Sequence, residues 1–185
     1  KKITKYFHLD INKKKNIQDP DKTYELLDNS VKSQMVSDVP LGVFLSGGID
    51  SSLITALAQQ SSYKPINSFT IGFEDNEFNE AQYAKKISNI LGTNHNEFYF
   101  NYNSITDLVN ILPDVYDEPF ADSSQLPTLL LSKITKKKVT VALSGDGGDE
   151  LFGGYYRYFL AEKYKKLIFN QPQYLKNISK KIINF

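Results

Sequence analysis

The chain contains no cysteine. Disulfides, thiolate metal sites and cysteine nucleophiles are therefore excluded within its 185 residues. That composition is compatible with a reducing compartment, and the cytoplasm is the expected location. No apolar run is long enough to span a bilayer, and the first residues do not read as a signal peptide, so no membrane association is expected. The formal net charge is only +1, which leaves no global basic field to recruit nucleic acid. The lysine clusters Lys13 to Lys15 and Lys136 to Lys138 read as solvated faces or loop edges. Methionine is nearly absent too. Met35 is the only one and the chain starts at Lys1, so a piece of a longer polypeptide is expected. What remains is an ordinary globular composition, 41% hydrophobic and 23% charged, with enough length for one sizeable core.

The apolar pattern alternates between short runs and helical spacing. Residues 1–21 are polar and read as a linker leading into the domain at 22–185. Leu26, Leu27, Val31, Met35 and Val36 predict a helix from Lys22 to Ser37, stopped by Pro40. Leu41 to Leu45 reads as a buried strand, Ser51 to Gln60 as a helix and Ile66 to Phe73 as a second strand. Glu80 to Leu91 is a helix closed by Gly92, and Asn96 to Phe100 a third strand. Ser104 to Tyr116 is helical apart from Pro113, and Asp117 to Pro127 is a loop. Ser123 or Ser124 is placed to cap a helix through Lys133. Val139 to Leu143 is a fourth strand, followed by a glycine-rich loop and helices from about Tyr155. This alternation predicts an α/β fold with a parallel sheet covered by helices on both faces and extra helices at both ends.

Chemistry concentrates where two strands end. The first strand runs into "FLSGGIDSS" and the fourth into "ALSGDGGDELFGG". Ligands of such sheets bind beyond the carboxyl ends of strands, where the connection direction reverses. If the two strands are neighbours, Ser46 and Ser144 face one cleft. Gly47 and Gly48 permit close backbone approach, and the next helix aims its first amides at a ligand. The hydroxyls of Ser46, Ser51 and Ser52 add donors, which suits pyrophosphate. No P-loop lysine is present. Asp50 would repel the anion unless a hard cation lay between them, and Mg²⁺ is the usual partner of polyphosphates. Asp149 is the natural second ligand, in a loop that also carries Asp146 and Glu150. A strand-to-helix turn with a serine cap is the plain reading of the first string, but the second glycine-rich acidic string argues against it. The second loop lacks the EF-hand spacing. Leu45 and Ile71 offer a surface for a purine, although Ile71 is equally a core residue. His95 has no companion metal ligands nearby and reads as structural.

These residues resemble a known family. "SGGIDSS" is similar to the PP-loop of N-type ATP pyrophosphatases, which cleave ATP between the α and β phosphates. The wider set "DVPLGVFLSGGIDSSL", "SFTIGFED", "LGTNHNEF", "DEPFADSSQLPTLLLS" and "LSGDGGDELFGGYYRY" resembles the synthetase domain of glutamine-hydrolysing asparagine synthetases, in register from about Tyr6 to about Tyr158. The resemblance implies ATP and Mg²⁺ as ligands and an acyl-adenylate formed from a carboxylate such as aspartate, then amidated by ammonia. It places Leu45, Ser46, Gly47, Gly48, Ile49, Asp50, Ser51 and Ser52 on ATP, and Ile71 and Gly72 near the adenine. Ser144 and Gly145 contact the nucleotide, Asp50 and Asp149 ligate the metal, and Asp146 acts as acid or base. Asp122 and Ser123 are candidates for the acyl pocket. Asparagine-forming members often carry glutamate at the position of Asp146, whereas amidotransferases of surface-polysaccharide clusters often read "SGDGGDE". A glutaminase domain with a cysteine nucleophile is expected upstream of Lys1, and a catalytic lysine downstream of the second loop. Three readings therefore stand: an asparagine-forming ligase, a cousin that amidates a sugar acid, and an ATP-binding module without turnover.

Overall fold

A computed structural model describes residues 4–5, 19–73, 79–100, 108–118 and 122–169. Lys13 to Lys15, the predicted helix start at Ser104 and the terminal lysines beyond residue 169 lie outside these. The described elements run α1 (Pro20–Gln34), β1 (Leu41–Phe44), α2 (Ile49–Gln60), β2 (Asn67–Phe73), α3 (Ala81–Leu91) and β3 (Asn94–Phe100). They continue with α4 (Leu112–Val115), α5 (Gln125–Thr135), β4 (Val141–Leu143), α6 (Gly148–Phe152) and α7 (Tyr156–Phe169).

The four strands are parallel and ordered β3-β2-β1-β4. Chain order builds outward from β1 through β2 to β3, then returns to the other side of β1 for β4. The connection reverses between β1 and β4, where the crevice of an open α/β sheet opens. One face of the sheet packs Val31, Val43, Leu57, Ala58, Ile66 and Leu143 into a core between α1, α2 and the strands. The other carries a second cluster around Leu108, Leu129 and Leu130, with α5 against β2. Phe69 is fully buried in β2 and its ring lies over Gly42 of β1, where a Cβ would fall 2.6 Å from the ring. Burying a side chain such as Phe69 or Leu57 contributes about 1.5–3 kcal/mol.

Boundaries differ from the sequence reading for local reasons. Helix α1 starts at Pro20, two residues early, because the Asp19 carboxylate accepts from the amides of Asp21 and Lys22 and proline suits the first turn. Pro127, assigned to a loop, sits in the first turn of α5, where its missing N–H has no intrahelical partner to lose. Ser124 is the N-cap residue there but makes no side-chain cap. Strand β3 begins at Asn94, whose amide reaches Ile66 and whose side chain pairs with Asn67. Gly92 closes α3 in the left-handed region at φ 71°, as expected. Helix α6 forms where the sequence predicts a loop. Gly147 and Gly153, at φ 90° and 71°, bracket one short helical stretch inside it.

Candidate active site

The first loop is locked to itself. Leu45, 1% exposed, donates its amide to Phe69 and ends the strand pairing. Ser46 and Ser51 hydroxyls lie 2.9 Å apart, Ser46 Oγ accepts from the Gly48 amide, and Ser51 Oγ donates to the Gly48 carbonyl. Gly48 is the N-cap of α2 and offers no side chain, so the first amides of a twelve-residue helix stay open to an anion. Gly47 has a protein neighbour of its own. At φ 87° a Cβ would lie 2.7 Å from the Ala84 amide, so this glycine lets α3 approach the loop.

The second loop leans on the first. A Cβ at Gly145 would come within 2.8 Å of the Ser51 amide, and one at Gly148 within 2.5 Å of the Asp50 carboxyl carbon. Two glycines thus let the loops touch. Ser144 donates to the Asp146 carboxylate at 3.0 Å, holding that acid against its own strand end. Tyr155 donates to Glu150 at 2.5 Å. That bond pushes the Tyr155 phenol up to about 12 and holds the Glu150 carboxyl below its usual range. Asp122 accepts from the Ser124 amide at 2.8 Å and hydroxyl at 2.7 Å, which lowers its carboxyl.

Between the loops opens a cleft of about 1160 Å³. Leu45, Ser46, Gly48, Ile49, Asp50, Ser51, Ile71, Ser144, Gly145 and Asp146 line it, with Asp122 and Asp149. Gly47, Ser52, Gly72 and Ser123 are not among the lining residues. Ser52 Oγ is buried without a partner, and Gly72 packs against the Tyr99 ring. Glu80 and Glu150 bring the lining carboxylates to six, and no lysine, arginine or histidine lines the cleft among the described residues. Tyr155 and the Glu150 bond escaped the sequence reading, although "ELFGGYY" carried both residue types at a spacing a turn can close. His95 stands apart: its Nδ1 pairs with Ser68 at 2.8 Å inside a hydroxyl network with Thr93 and Ser88.

The donor set suits a hard cation. All side-chain donors facing the cleft centre from the two loops are oxygens, but no three His, Cys, Asp or Glu side chains converge into a cage among the described residues. Mg²⁺ is commonly held in that way, by one or two carboxylates with phosphate oxygens and water completing the shell.

The architecture is shared with solved synthetases. An NMN synthetase from Francisella tularensis superposes with a TM-score of 0.52 at 17% identity, over 75% of this chain and 59% of the other. An NH3-dependent NAD synthetase from Campylobacter jejuni gives 0.51 at 17%, over 74% and 61%. The fold, a parallel α/β sheet, is thus one that these two synthetases share. Residues 22–184 match the asparagine synthase family, and the chain belongs to that family. It is 44% identical over 130 residues to asparagine synthetase [glutamine-hydrolyzing] 1 of Bacillus subtilis, covering 69% of this chain and 20% of that protein. A Methanocaldococcus jannaschii relative is 41% identical over 160 residues, 84% of this chain and 31% of its own. Asparagine synthetase B of Escherichia coli is 32% identical over 171 residues, 83% and 30%. The chain therefore spans less than a third of the length of these curated relatives.

Proposed function

We propose that the chain is the ATP-binding part of an ATP-dependent amide ligase. A carboxylate, aspartate foremost, attacks the α-phosphate of ATP and becomes an acyl-adenylate as pyrophosphate leaves. Ammonia then displaces AMP to give the amide, asparagine. The reading is carried by the junction of the two serine-glycine loops at the carboxyl ends of adjacent parallel strands, beside the uncapped start of α2. The open amides of α2 and the hydroxyls of Ser46 and Ser51 take the pyrophosphate oxygens and stabilise the leaving group. Leu45 and Ile71 form the adenine wall. Asp50 and Asp149 would hold Mg²⁺, which supplies charge neutralisation along the polyphosphate. Among the described residues no cationic side chain lines the cleft, so the helix amides supply positive potential there and the ion would add to it. Asp122, with Ser123 beside it in sequence, borders the acyl end, and Asp146 moves the proton there. Glutamine-derived ammonia would come from a glutaminase domain upstream on the same polypeptide.

A second reading follows from Asp146. Ser144 holds this short acid at its own strand end, and the string "SGDGGDE" resembles that of amidotransferases of surface-polysaccharide clusters, so a sugar acid is the alternative acceptor. Pyrophosphate release by the full-length protein distinguishes the readings. Release dependent on aspartate and ammonia supports the first. Release only with a sugar acid supports the second, and ATP binding without release under any acceptor reduces the site to a binding module. Asp50→Asn and Asp149→Asn should each weaken Mg²⁺-dependent ATP binding about tenfold. Unchanged binding in both would reject the shared ion.

A further inference from the structure

The following rests on the reading of Asp149 as a carboxylate that meets the cation. Helix α6 is five residues long and buries none of them. Its packing therefore does not fix the direction of Asp149. The turn after it does. Gly153, left-handed at φ 71°, and Gly154 both donate their amides to the Asp149 carbonyl, so the chain doubles back on that residue. A Cβ on Gly154 would fall 1.9 Å from Asp149 Oδ1, far inside any non-bonded contact. The Asp149 carboxylate rests directly on the bare Cα of Gly154.

The next residue closes the turn. Tyr155 donates its phenol to Glu150, bridging from the end of the glycine pair back to α6. Its ring is held in place by the Arg157 guanidinium, 4.1 Å from the ring centre, and by the edge-on ring of Tyr158 at 5.5 Å. Glu150 and Asp149 are adjacent acids on the same short helix and both line the cleft. The phenol engages Glu150 and leaves Asp149, its position set by Gly154, as the acid offered to a cation.

We propose that the Gly153–Gly154 turn, closed by the Tyr155–Glu150 hydrogen bond, is a device that sets the Asp149 carboxylate for the cation carried with ATP, and that Tyr155 is its positioning residue. Tyr155 acts through Asp149 and need not touch the nucleotide. Groups that orient a metal ligand typically change metal affinity about 10- to 100-fold when removed, and one hydrogen bond at an exposed site belongs at or below the low end.

The test is calorimetric titration of the full-length protein with ATP at stepped Mg²⁺ concentrations. Tyr155→Phe keeps the ring and its Arg157 contact but deletes the hydroxyl. It should raise the Mg²⁺ needed for half-maximal ATP binding by about three- to tenfold. ATP affinity at saturating Mg²⁺ and the ligand-free melting temperature should stay at the unaltered values, which a general packing role would not allow. Gly154→Ala should shift the Mg²⁺ requirement further, toward that of Asp149→Asn, because the new methyl must displace the carboxylate. In an Asp149→Asn background both changes should add nothing, since they act through the group already removed. If Gly154→Ala does not fold, Tyr155→Phe alone and in that background carries the test. An unchanged Mg²⁺ requirement in Tyr155→Phe, or full additivity with Asp149→Asn, overturns the proposal while leaving the ATP site intact. Absence of Mg²⁺-dependent ATP binding in the unaltered protein overturns the functional reading beneath it, and the proposal with it.

Discussion

Residues 45–52 and 144–154 leave neighbouring parallel strands and meet over one cleft, yet they are held by different forces. The first runs into a twelve-residue helix that buries Thr55, Leu57 and Ala58, and its serines bond to one another and to the Gly48 backbone. Its glycine at position 47 is wedged under α3. The second leaves a three-residue strand, enters a five-residue helix with no buried side chain, and keeps its shape through left-handed glycines and bonds at its own surface. The first loop is therefore anchored between buried Leu45 and a helix that packs into the core, although Ser46, Gly48 and Ile49 are themselves exposed, and the second loop has no such anchor. A rigid donor array is preorganised for charge that develops on a leaving group. A loosely packed acid loop is drawn from the low-stability end of the fold, where binding elements move most readily.

Two left-handed glycines test the contrast most directly. Gly47 and Gly147 have nearly the same torsion, φ 87° and 90°, but only Gly47 has a neighbour in the way. Gly47→Ala combines backbone strain with a clash against α3 and should destabilise the protein by about 2–4 kcal/mol. Gly147→Ala meets nothing within 4 Å and should lose about 1 kcal/mol through strain alone. Ligand-free chemical denaturation measures both, and equal losses would erase the distinction between the loops. Gly148→Ala comes next. Its methyl would press on the Asp50 carboxyl group, the movable end of a side chain. ATP affinity should fall about tenfold with stability nearly unchanged, since an acid moved off its ligand position resembles loss of an orienting partner. A large drop in stability without a change in ATP affinity would show that the contact between loops serves packing alone.

The parts of this site visible in the sequence are those that local chemistry writes down. Apolar runs ending in Leu-Ser-Gly marked both strand ends, and the helix after Gly48 followed from its apolar spacing. The reversal between β1 and β4 was a conditional expectation, and strand pairing meets the condition. What escaped depends on neighbours distant in sequence or on a single turn of chain. The packing of Gly47 against α3 could not be seen, because nothing in "SGGIDSS" reveals that helix behind it. The packing of Gly72 against the ring of Tyr99 depends on the β2–β3 register and was equally hidden. Helix α6 was invisible because five glycines within "GDGGDELFGG" outweigh the short run that makes one helical turn. The Asp122 bonds to Ser124 were hidden for the opposite reason, since two serines invited a cap that neither supplies.

The smallest effect expected lies at the β3 edge of the sheet, where acid chemistry gives way to a half-buried base. His95 shares a register position with Ser68 on β2, and its Nδ1 bonds that hydroxyl at 2.8 Å. Its Nε2 is buried with no partner. A proton added to the ring would leave a charged donor facing nothing, so burial lowers the His95 pKa. Glu97 on the same strand opposes that shift by attraction, and Lys85 of α3, paired with Glu97 at 2.9 Å, reinforces it. The sign follows from linkage: the unfolded chain binds this proton more readily than the folded one. The neutral ring's contribution is complete above the ordinary histidine pKa and is lost as pH falls from there through the lowered folded value. Melting temperature should therefore drop between about pH 7.5 and about pH 5.5, above the range where carboxylates titrate. His95→Asn keeps a hydrogen-bonding group for Ser68 but cannot titrate, and the drop should shrink in that variant. A drop of the same size in both proteins would assign the acid sensitivity to other groups and leave His95 a packing residue.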